Sequence, residues 1–426
     1  MTPECNSPLV TSASTLAAPK PVPALVKKRI LFVDDEPSIL QGLENILRKQ
    51  RGRWDMFFAV GAEAALAHLR EKTFDVIVSD MRMPGMDGAE LLARVKVDYP
   101  NVVRLVLSGH AEKESVVRAL PVAHQFLNKP CDAETLRLAI ERTCDVHGLL
   151  ESPNIRQLVG SIDRLPTAPR TYWELTQAVA DPNIDLARLA GIVQQDPGMS
   201  VKLLQLVNSA YFGLAQRITS IHQAVVYLGI ELLRGLALST HVFGNLDWPD
   251  IEGFSMERFQ IAALMSGKLA RHIIKDPQRS EEAFTAALVH DIGLVVLASG
   301  FPKEYEELLK RMKTTGIGLP ELEREHFGAS HEHVGAYLLG SWGVPFSIVA
   351  AVAHHHHPSA APPGPQDILA AVHVADALTT PVLWPDAGRI AERHLEIGFA
   401  ERAGLKGDLG SWKEFLAVEM QKVQLP

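Results

Sequence analysis

The sequence predicts two folded domains of different class: an α/β domain with a doubly wound, five-stranded parallel sheet, then an all-α helical bundle. Residues 30–147 alternate short apolar runs with amphipathic helical segments, the pattern of five βα units. After residue 153 the strand-like alternation disappears, and helix-like periodicity continues almost to the end. A chain of 426 residues is long enough for two or three separate cores.

The elements of the α/β domain are predicted from apolar runs of strand length, each followed by a segment with a helical apolar stripe. The strands are predicted at Ile30–Val33, Asp55–Val60, Asp75–Ser79, Val102–Leu107 and His124–Asn128. The helices are predicted at Pro37–Lys49, Ala62–Arg70, Gly88–Asp98, Glu112–Leu120 and Ala133–His147. Leu40, Leu43 and Leu47 repeat at helical spacing, so one face of the first helix should cover the sheet.

The second half is predicted to be a helical bundle, because its segment lengths and leucine spacing suit helices. A Pro-rich break at Pro358–Pro365 interrupts it, and helices resume at Asp367–Leu378 and Trp412–Val423. We expect a flexible leader over 1–26, the α/β domain over 27–147, a linker over 148–155, the bundle over 156–360, and a helical extension over 361–426 that packs on the bundle.

Composition excludes several classes of protein. The net charge of −8, with no helix-turn-helix signature, argues against a nucleic-acid-binding surface. Three unevenly placed cysteines (Cys5, Cys131 and Cys144) suggest a reducing compartment rather than a disulfide framework. The first 26 residues lack the apolar core of a signal peptide, and no uncharged run approaches the length of a membrane span. We expect a cytoplasmic protein.

Four of the predicted strands lead into polar side chains. Asp34 and Asp35 follow the first strand, Asp80 the third, Ser108 the fourth and Lys129 the fifth. Because parallel strands bring their carboxyl ends to one edge of a sheet, these side chains should meet there. Carboxylates suit Mg²⁺, and a lysine ammonium serves as a point charge for a phosphate. The pattern predicts a Mg²⁺-dependent phosphoryl acceptor.

Each of these features has a plainer interpretation. Asp34 and Asp35 suit the cap of the helix that starts at Pro37, and Lys129-Pro130 suits an ordinary turn. The arrangement of all five residues at the ends of four separate strands favours a single site.

Residues 27–147 resemble the receiver domain of two-component response regulators, on the strength of Asp34-Asp35, Asp80, Ser108 and Lys129. The resemblance implies that a sensor histidine kinase phosphorylates Asp80, and that Asp34, Asp35 and Asp80 hold Mg²⁺. It also implies that Lys129 pairs with the phosphoryl oxygens, and that Ser108 and Phe126 act as the switch residues that respond to phosphorylation.

A second resemblance covers about residues 155–360. Leu165-Pro166-Thr167-Ala168-Pro169, Asp196-Pro197-Gly198-Met199-Ser200 and Asn208-Ser209 occur in order before a long helical region. This looks like the HDOD domain, an all-helical output module related to the HD phosphohydrolases. Caps such as Asp196-Pro197 occur in any helical protein, so the resemblance depends on the ordered match.

The HD phosphohydrolase relationship implies a second metal site. The apolar stretch Phe284–Leu297 is predicted to be one helix, and it contains His290 and Asp291. Matched by position, the candidate ligands are His290, Asp291, His331, His355, His356 and Asp376. Imidazole and carboxylate ligands suit Fe, Mn or Zn. The sequence departs from the active enzymes at Met265, which stands where a first histidine is usual, and at Leu294, which replaces a lysine. It also lacks the Gly-Tyr-Pro signature of cyclic-di-GMP hydrolases.

The histidine-rich segments have structural interpretations too. His290 and Asp291 suit a hydrogen-bonded core pair, and the run His354–His357 suits a solvated loop before Pro358. We therefore expect a response regulator that signals through a non-catalytic HDOD domain by contact with an unknown downstream protein, as a monomer or a homodimer. The alternative is a receiver-gated, metal-dependent phosphohydrolase that acts on a nucleotide or a cyclic dinucleotide.

Overall fold

A computed structural model describes most of the chain. The described residues are 27–109, 122–129, 131–147, 150, 152–162, 165, 169–181, 184–208, 217–238, 248–385, 395–405 and 407–423. The expected leader over 1–26, the helix predicted at Glu112–Leu120 and residues 148, 149 and 151 of the expected linker lie outside these residues.

The five predicted strands form one parallel sheet. They are β1 (Lys28–Asp34), β2 (Trp54–Val60), β3 (Val76–Asp80), β4 (Val103–Gly109) and β5 (Gln125–Lys129). Their order is β2-β1-β3-β4-β5, which places β1 and β3 in the middle. Every pair of neighbours is parallel, so all five carboxyl ends lie at one edge. The predicted fold class and strand number are confirmed.

Helices cover both faces of this sheet. They are α1 (Pro37–Ile46), α2 (Ala62–Glu71), α3 (Gly88–Asp98) and α4 (Ala133–His147). The first is shorter than predicted, because a 3-10 segment at Arg48–Gly52 follows it. Leu47, which directly follows α1, and Ile140 of α4 belong to the apolar cluster on one face of the sheet.

The rest of the described chain is helical, as predicted for the bundle. Its helices are α5 (Pro153–Ser161), α6 (Pro169–Ala180), α7 (Leu186–Val193), α8 (Pro197–Val207), α9 (Ile221–Leu238), α10 (Met256–Ile273), α11 (Pro277–Val289), α12 (Ile292–Gly300), α13 (Pro302–Thr315), α14 (Leu319–Phe327), α15 (His331–Ser341), α16 (Phe346–His354), α17 (Asp367–Leu383), α18 (Ile397–Arg402) and α19 (Leu409–Met420). In the final segment, Trp412 joins the main core and Lys268 of α10 pairs with Glu419 at 2.9 Å.

One expected helix is interrupted. The apolar stretch Phe284–Leu297 suggested a single helix, but α11 ends at Val289 and α12 begins at Ile292. His290 and Asp291 form a turn between them. Apolar periodicity does not reveal this break, because the residues on both sides are buried all round.

The segment Pro277–Gly300 is long and apolar enough to cross a membrane by length and composition. Its most apolar window is 83% buried inside the fold. Within the described residues the segment therefore forms part of the bundle core, and the cytoplasmic location stays a prediction.

The two domains share a continuous core. The largest apolar cluster includes Leu91 and Phe126 of the α/β domain together with Val159 and Leu338 of the bundle. Helix α15 contacts both α4 of the first domain and α5 of the second. The junction is therefore packed as an interior rather than joined by a linker alone.

Polar contacts at this junction come mainly from β4 and β5. The buried guanidinium of Arg104 donates to the carbonyl oxygen of Gly160 in α5 at 2.9 Å. The amide of Gln125 donates to the carbonyl oxygens of Gly340 and Ser341 at 3.2 and 3.1 Å. Both carbonyls belong to the last turn of α15, where carbonyls run short of intrahelical donors. Gly340 also accepts from the backbone N–H of Gly343 at 3.1 Å. Gln125 thus caps a bundle helix from the other domain.

Candidate functional site

The predicted acidic pocket forms at the carboxyl edge of the sheet. Lys129 Nζ lies 2.6 Å from Asp80 Oδ1 and 2.9 Å from Asp34 Oδ2. Oxygens of Asp34, Asp35 and Asp80 all lie within 4.8 Å of one another. A carboxylate triad of this kind suits a hard cation such as Mg²⁺. The structure brings these four residues into one pocket.

Charge and burial compete in this pocket. Burial raises the pKa of Asp80, although the hydrogen bond and charge of Lys129 oppose that effect. Burial lowers the pKa of Lys129, but hydrogen bonds to Asp80 and Asp34 outweigh it, so the pKa is raised. Lys129 is therefore a permanent ammonium at neutral pH, held against the predicted acceptor.

The loop after Asp80 folds closely over the strand end. Gly85 has a φ of +80°, a backbone conformation that favours glycine. A Cβ on Gly88 would lie 2.1 Å from the carbonyl oxygen of Asp80, so the loop admits no side chain there. Asp87 and Glu90 form a reciprocal capping box that begins α3.

The two expected switch residues lie on the neighbouring strands. Ser108 lies in β4, one residue after Leu107, which pairs with Asp80 across the sheet. The Ser108 side chain is outside the described part of the structure. Phe126 is buried in the apolar cluster that continues into the bundle.

The six candidate ligands of the bundle also converge. They come from the turn between α11 and α12, from the start of α15, from the end of α16 and from α17. Their contacts are His290 Nε2 to Asp291 Oδ2 at 3.3 Å and to Asp376 Oδ1 at 3.4 Å, His331 Nε2 to Asp291 Oδ1 at 3.3 Å, His355 Nε2 to Asp291 Oδ1 at 3.4 Å, and His356 Nδ1 to Asp376 Oδ2 at 3.5 Å.

Hydrogen bonds fix how the imidazoles are presented. The Nδ1 atoms of His290 and His355 lie 2.6 and 2.7 Å from backbone carbonyl oxygens, to which they can only donate. When neutral, these rings therefore present the lone pair of Nε2 to Asp291. Two acceptors then face each other, and within the described part of the chain the buried His355 Nε2 and Asp291 Oδ1 have no hydrogen-bond partner. Such an arrangement calls for a cation between them.

The spacing suits a metal ion. Two ligands about 2.1 Å from one ion and at a tetrahedral angle are about 3.4 Å apart. The distances within the cluster are 3.3–3.5 Å for the carboxylate contacts and 2.9 Å between the Nε2 atoms of His331 and His356. Imidazole with carboxylate is a donor set for Fe, Mn or Zn, so the residues present fit such a metal.

The charged groups of the cluster interact strongly with one another. Burial lowers the pKa of His290, but the charges of Asp291 and Asp376 raise it to about 10. His356 behaves oppositely: burial, followed by the charges of His355 and His331, holds its pKa well below the usual value. Asp291 stays ionised because the neighbouring histidines lower its pKa despite burial. The carboxylates thus attract a positive charge to the centre of the cluster.

A small cavity of about 70 Å³ opens onto this cluster. Asp291, His331, His356 and Asp376 line it on one side. Much of the remaining wall is apolar, and it includes Leu294, Met312, Leu319, Pro320, Ala377 and Trp384. Among the described residues that line it, none is lysine or arginine. Met265 is fully buried within α10.

Comparison with known families supports the assignment of both domains. Residues 30–141 match the family model of the response regulator receiver domain, and residues 165–358 match that of the HDOD domain. The chain is a response regulator with an HDOD domain. The resemblances drawn from the sequence are confirmed.

Relatives of this response regulator match it in part. An uncharacterised protein of Treponema pallidum is 24% identical over 58% of this chain and 50% of its own length. The DNA-binding transcriptional regulator NtrC of Escherichia coli is 35% identical over 33% of this chain and 30% of its own length. A solved virulence factor of Campylobacter jejuni, with a TM-score of 0.51 and 22% identity, covers 63% of this chain and 98% of its own, and shows the fold. The chain spans half or less of the length of the Treponema pallidum and Escherichia coli relatives.

Sequence reasoning missed the residues that hold the histidine cluster in place. Glu323 of α14 accepts a hydrogen bond from His331 Nδ1 at 2.6 Å, and Tyr305 of α13 donates to Glu323 at 2.8 Å. His373 of α17 donates to the carbonyl oxygen of His355 at 2.6 Å. Glu323 lies in a charged Glu-Leu-Glu-Arg-Glu run, so no sequence signal distinguished it from its solvated neighbours.

Proposed function

We propose that this response regulator receives a phosphoryl group on Asp80 from a histidine kinase. The observation that carries the proposal is the placement of Lys129 within 2.6 Å of Asp80 and 2.9 Å of Asp34, with Asp35 beside them. An Asp80 oxygen attacks the phosphorus while the bond from phosphorus to the kinase imidazole breaks, so the group moves from one nucleophile to the other.

Each residue of the pocket has a separate task in that transfer. Lys129 holds Asp80 in place, and its ammonium is positioned to pair with an oxygen of the incoming phosphoryl group. Asp34, Asp35 and Asp80 would hold Mg²⁺, which offsets the charge of the phosphoryl oxygens when bound. Because Gly88 has no side chain, the loop that follows Asp80 packs closely against the end of β3. This packing keeps Asp80 at the mouth of the pocket.

The packed junction supports a direct route from the receiver to the bundle. Gln125, next to Phe126, holds the last turn of α15, and α15 begins at His331 of the histidine cluster. We expect phosphorylation to change how β5 packs against α15, because the phosphate biases a two-state surface near the strand ends. The output is then a changed surface of the HDOD domain, read by a downstream protein.

The acceptor is tested by labelling. Purified wild type, Asp80→Asn and the surface control Asp98→Asn are incubated with acetyl phosphate and Mg²⁺, and intact mass is measured. We expect an added phosphoryl mass on wild type and on Asp98→Asn, and none on Asp80→Asn at equal thermal stability. Persistent labelling of Asp80→Asn would refute the assignment.

A second candidate function is a metal-dependent phosphohydrolase in the HDOD domain. The facing acceptors His355 Nε2 and Asp291 Oδ1 favour it, because an ion between them satisfies both. His290, Asp291, His331, His355, His356 and Asp376 would hold Fe, Mn or Zn, which supplies an activated water when bound. We place this candidate second because of its cavity. Ligand pockets are commonly about 300–1,000 Å³, and no lysine or arginine stands among the described residues that line this smaller one.

Metal content and activity separate the candidates. Elemental analysis and a hydrolysis screen with nucleotides and cyclic dinucleotides would compare wild type, His290→Ala and the exposed control His326→Ala. Metal in wild type and in the control, with hydrolysis lost only in His290→Ala, supports the enzyme. A metal-loaded but inactive wild type supports the interaction output, and a metal-free, inactive protein removes the second candidate.

A further inference from the structure

Glu323 stands out among the buried charges because one of its carboxylate oxygens bonds both the backbone and the ring of His331. It is fully buried in α14. Its Oε2 accepts hydrogen bonds from the backbone N–H of His331 at 2.8 Å and from Nδ1 of the same residue at 2.6 Å. Its Oε1 accepts from the hydroxyl of Tyr305 at 2.8 Å. Three donors thus compensate a buried charge that would otherwise be costly.

The position of the His331 ring follows from these contacts. Donation from Nδ1 to Glu323 leaves Nε2 facing Asp291 Oδ1 at 3.3 Å and His356 Nε2 at 2.9 Å. In a neutral ring this nitrogen carries the lone pair. The ring therefore presents its ligand atom to the centre of the cluster.

His331 differs from its neighbours in what orients it. The Nδ1 atoms of His290 and His355 are held by the backbone carbonyls of Ala287 and Val352. Nδ1 of His331 is held by an ionised side chain, and such charge-assisted bonds are roughly twice as strong as neutral ones. A carboxylate on the far side of an imidazole also raises the basicity of the nitrogen that binds metal.

We propose that Glu323 is a positioning residue that makes His331 the strongest imidazole ligand of the metal centre, with Tyr305 holding Glu323 in place. The proposal rests on the metal centre described above. It predicts that metal affinity depends on the charge of Glu323, even though Glu323 touches no ion.

A purely structural role is the competing explanation. Glu323 accepts the N–H of His331 at the first turn of α15, and this bond anchors the helix to α14. Glu323→Gln separates the two roles, because the amide keeps an acceptor oxygen for the backbone N–H but removes the negative charge. Both bonds to His331 are made by the same atom, Oε2, so the amide oxygen can keep them while the hydrogen bond from Nδ1 loses its charge assistance.

The test is calorimetric titration of the full-length protein with Zn²⁺ alone. We compare wild type, Glu323→Gln, Glu323→Asp and Tyr305→Phe with Glu325→Gln, an exposed glutamate on the same helix. Loss of an outer-shell partner typically costs 10–100-fold in metal affinity. We expect that loss in Glu323→Gln, partial rescue in Glu323→Asp, a smaller loss in Tyr305→Phe and no change in the control.

Nitrogen NMR of labelled histidine adds a readout that helix anchoring alone would not move. In metal-free wild type at high pH, where the ring is neutral, His331 should carry its proton on Nδ1, and Glu323→Gln should shift the resonance of that proton upfield because its hydrogen bond weakens. Equal Zn²⁺ affinity in wild type and Glu323→Gln would overturn the positioning role while the metal centre stands. A wild type that binds no Zn²⁺, Mn²⁺ or Fe²⁺ would overturn both. If Glu323→Gln fails to fold, wild-type affinity in Tyr305→Phe would overturn the proposal.

Discussion

Gln125→Leu should loosen the junction between the receiver and the HDOD domain. The leucine fills a similar volume, but it donates nothing to the carbonyl oxygens of Gly340 and Ser341. Gln125 is 6% exposed, so water replaces its amide poorly at this position. Gly340 keeps the backbone N–H of Gly343, but the Ser341 carbonyl would lose its described donor unless the two domains separate and let solvent reach it.

The size of the effect follows from the cost of an unsatisfied buried group. Leaving one such acceptor costs about 1–3 kcal/mol. That range corresponds to about a 5–150-fold change in an equilibrium constant. Opening of the junction should therefore become about 5–150 times more populated, and Phe126 should be released from the shared core more often.

Hydrogen exchange followed by mass spectrometry measures this opening directly. Peptides from α15 and α4 should lose protection in Gln125→Leu by that factor, while β1 and β3 keep theirs. Gln41→Leu, the same substitution at an exposed position of α1, is the matched control. Unchanged protection across the junction in a folded Gln125→Leu protein would refute the proposed cap.

Three further predictions concern close contacts and metal. Gly293→Ala places a Cβ 2.0 Å from the carbonyl oxygen of His331, so we expect it to lower the free energy of unfolding by about 1–3 kcal/mol or more and to weaken Zn²⁺ binding in a calorimetric titration. Gly160→Ala places a Cβ 1.9 Å from the carbonyl oxygen of Pro100 and should increase protease cleavage between the domains. Gly191→Ala, with nothing within 4 Å, should leave both properties unchanged or stabilise α7 slightly. Zn²⁺ at about 100 times its dissociation constant should stabilise the folded protein by about 2.7 kcal/mol in thermal unfolding, and EDTA should reverse this; an unchanged midpoint would contradict the metal centre.

The receiver pocket could be predicted from the sequence because its geometry is a consequence of topology. Once β1, β3 and β5 are parallel, Asp34, Asp80 and Lys129 reach the same edge whatever the details of packing. Their residue types then indicate a cation and a phosphate. The prediction needed only strand periodicity and the positions where the strands end.

The prediction of the histidine cluster depended on the resemblance to a known family rather than on the spacing of residues in the sequence. His290 and Asp376 are 86 positions apart in the chain yet lie 3.4 Å apart. No local period relates residues on four separate helical segments, and the turn at His290–Asp291 was expected to be continuous helix. The packing of α12 against α15, allowed by Gly293, decides where these side chains meet.

The sequence by itself determined the two fold classes, the acidic pocket at the sheet edge and the family, because apolar periodicity and strand-end chemistry are local properties of the chain. Only the tertiary structure decided that Gln125 caps a helix more than 200 residues away, and that Glu323 is buried beside His331 while Glu325 stays exposed. Glutamates two residues apart look alike in a sequence. Which one the fold removes from water depends on the neighbouring helices, and these are brought together by long-range packing.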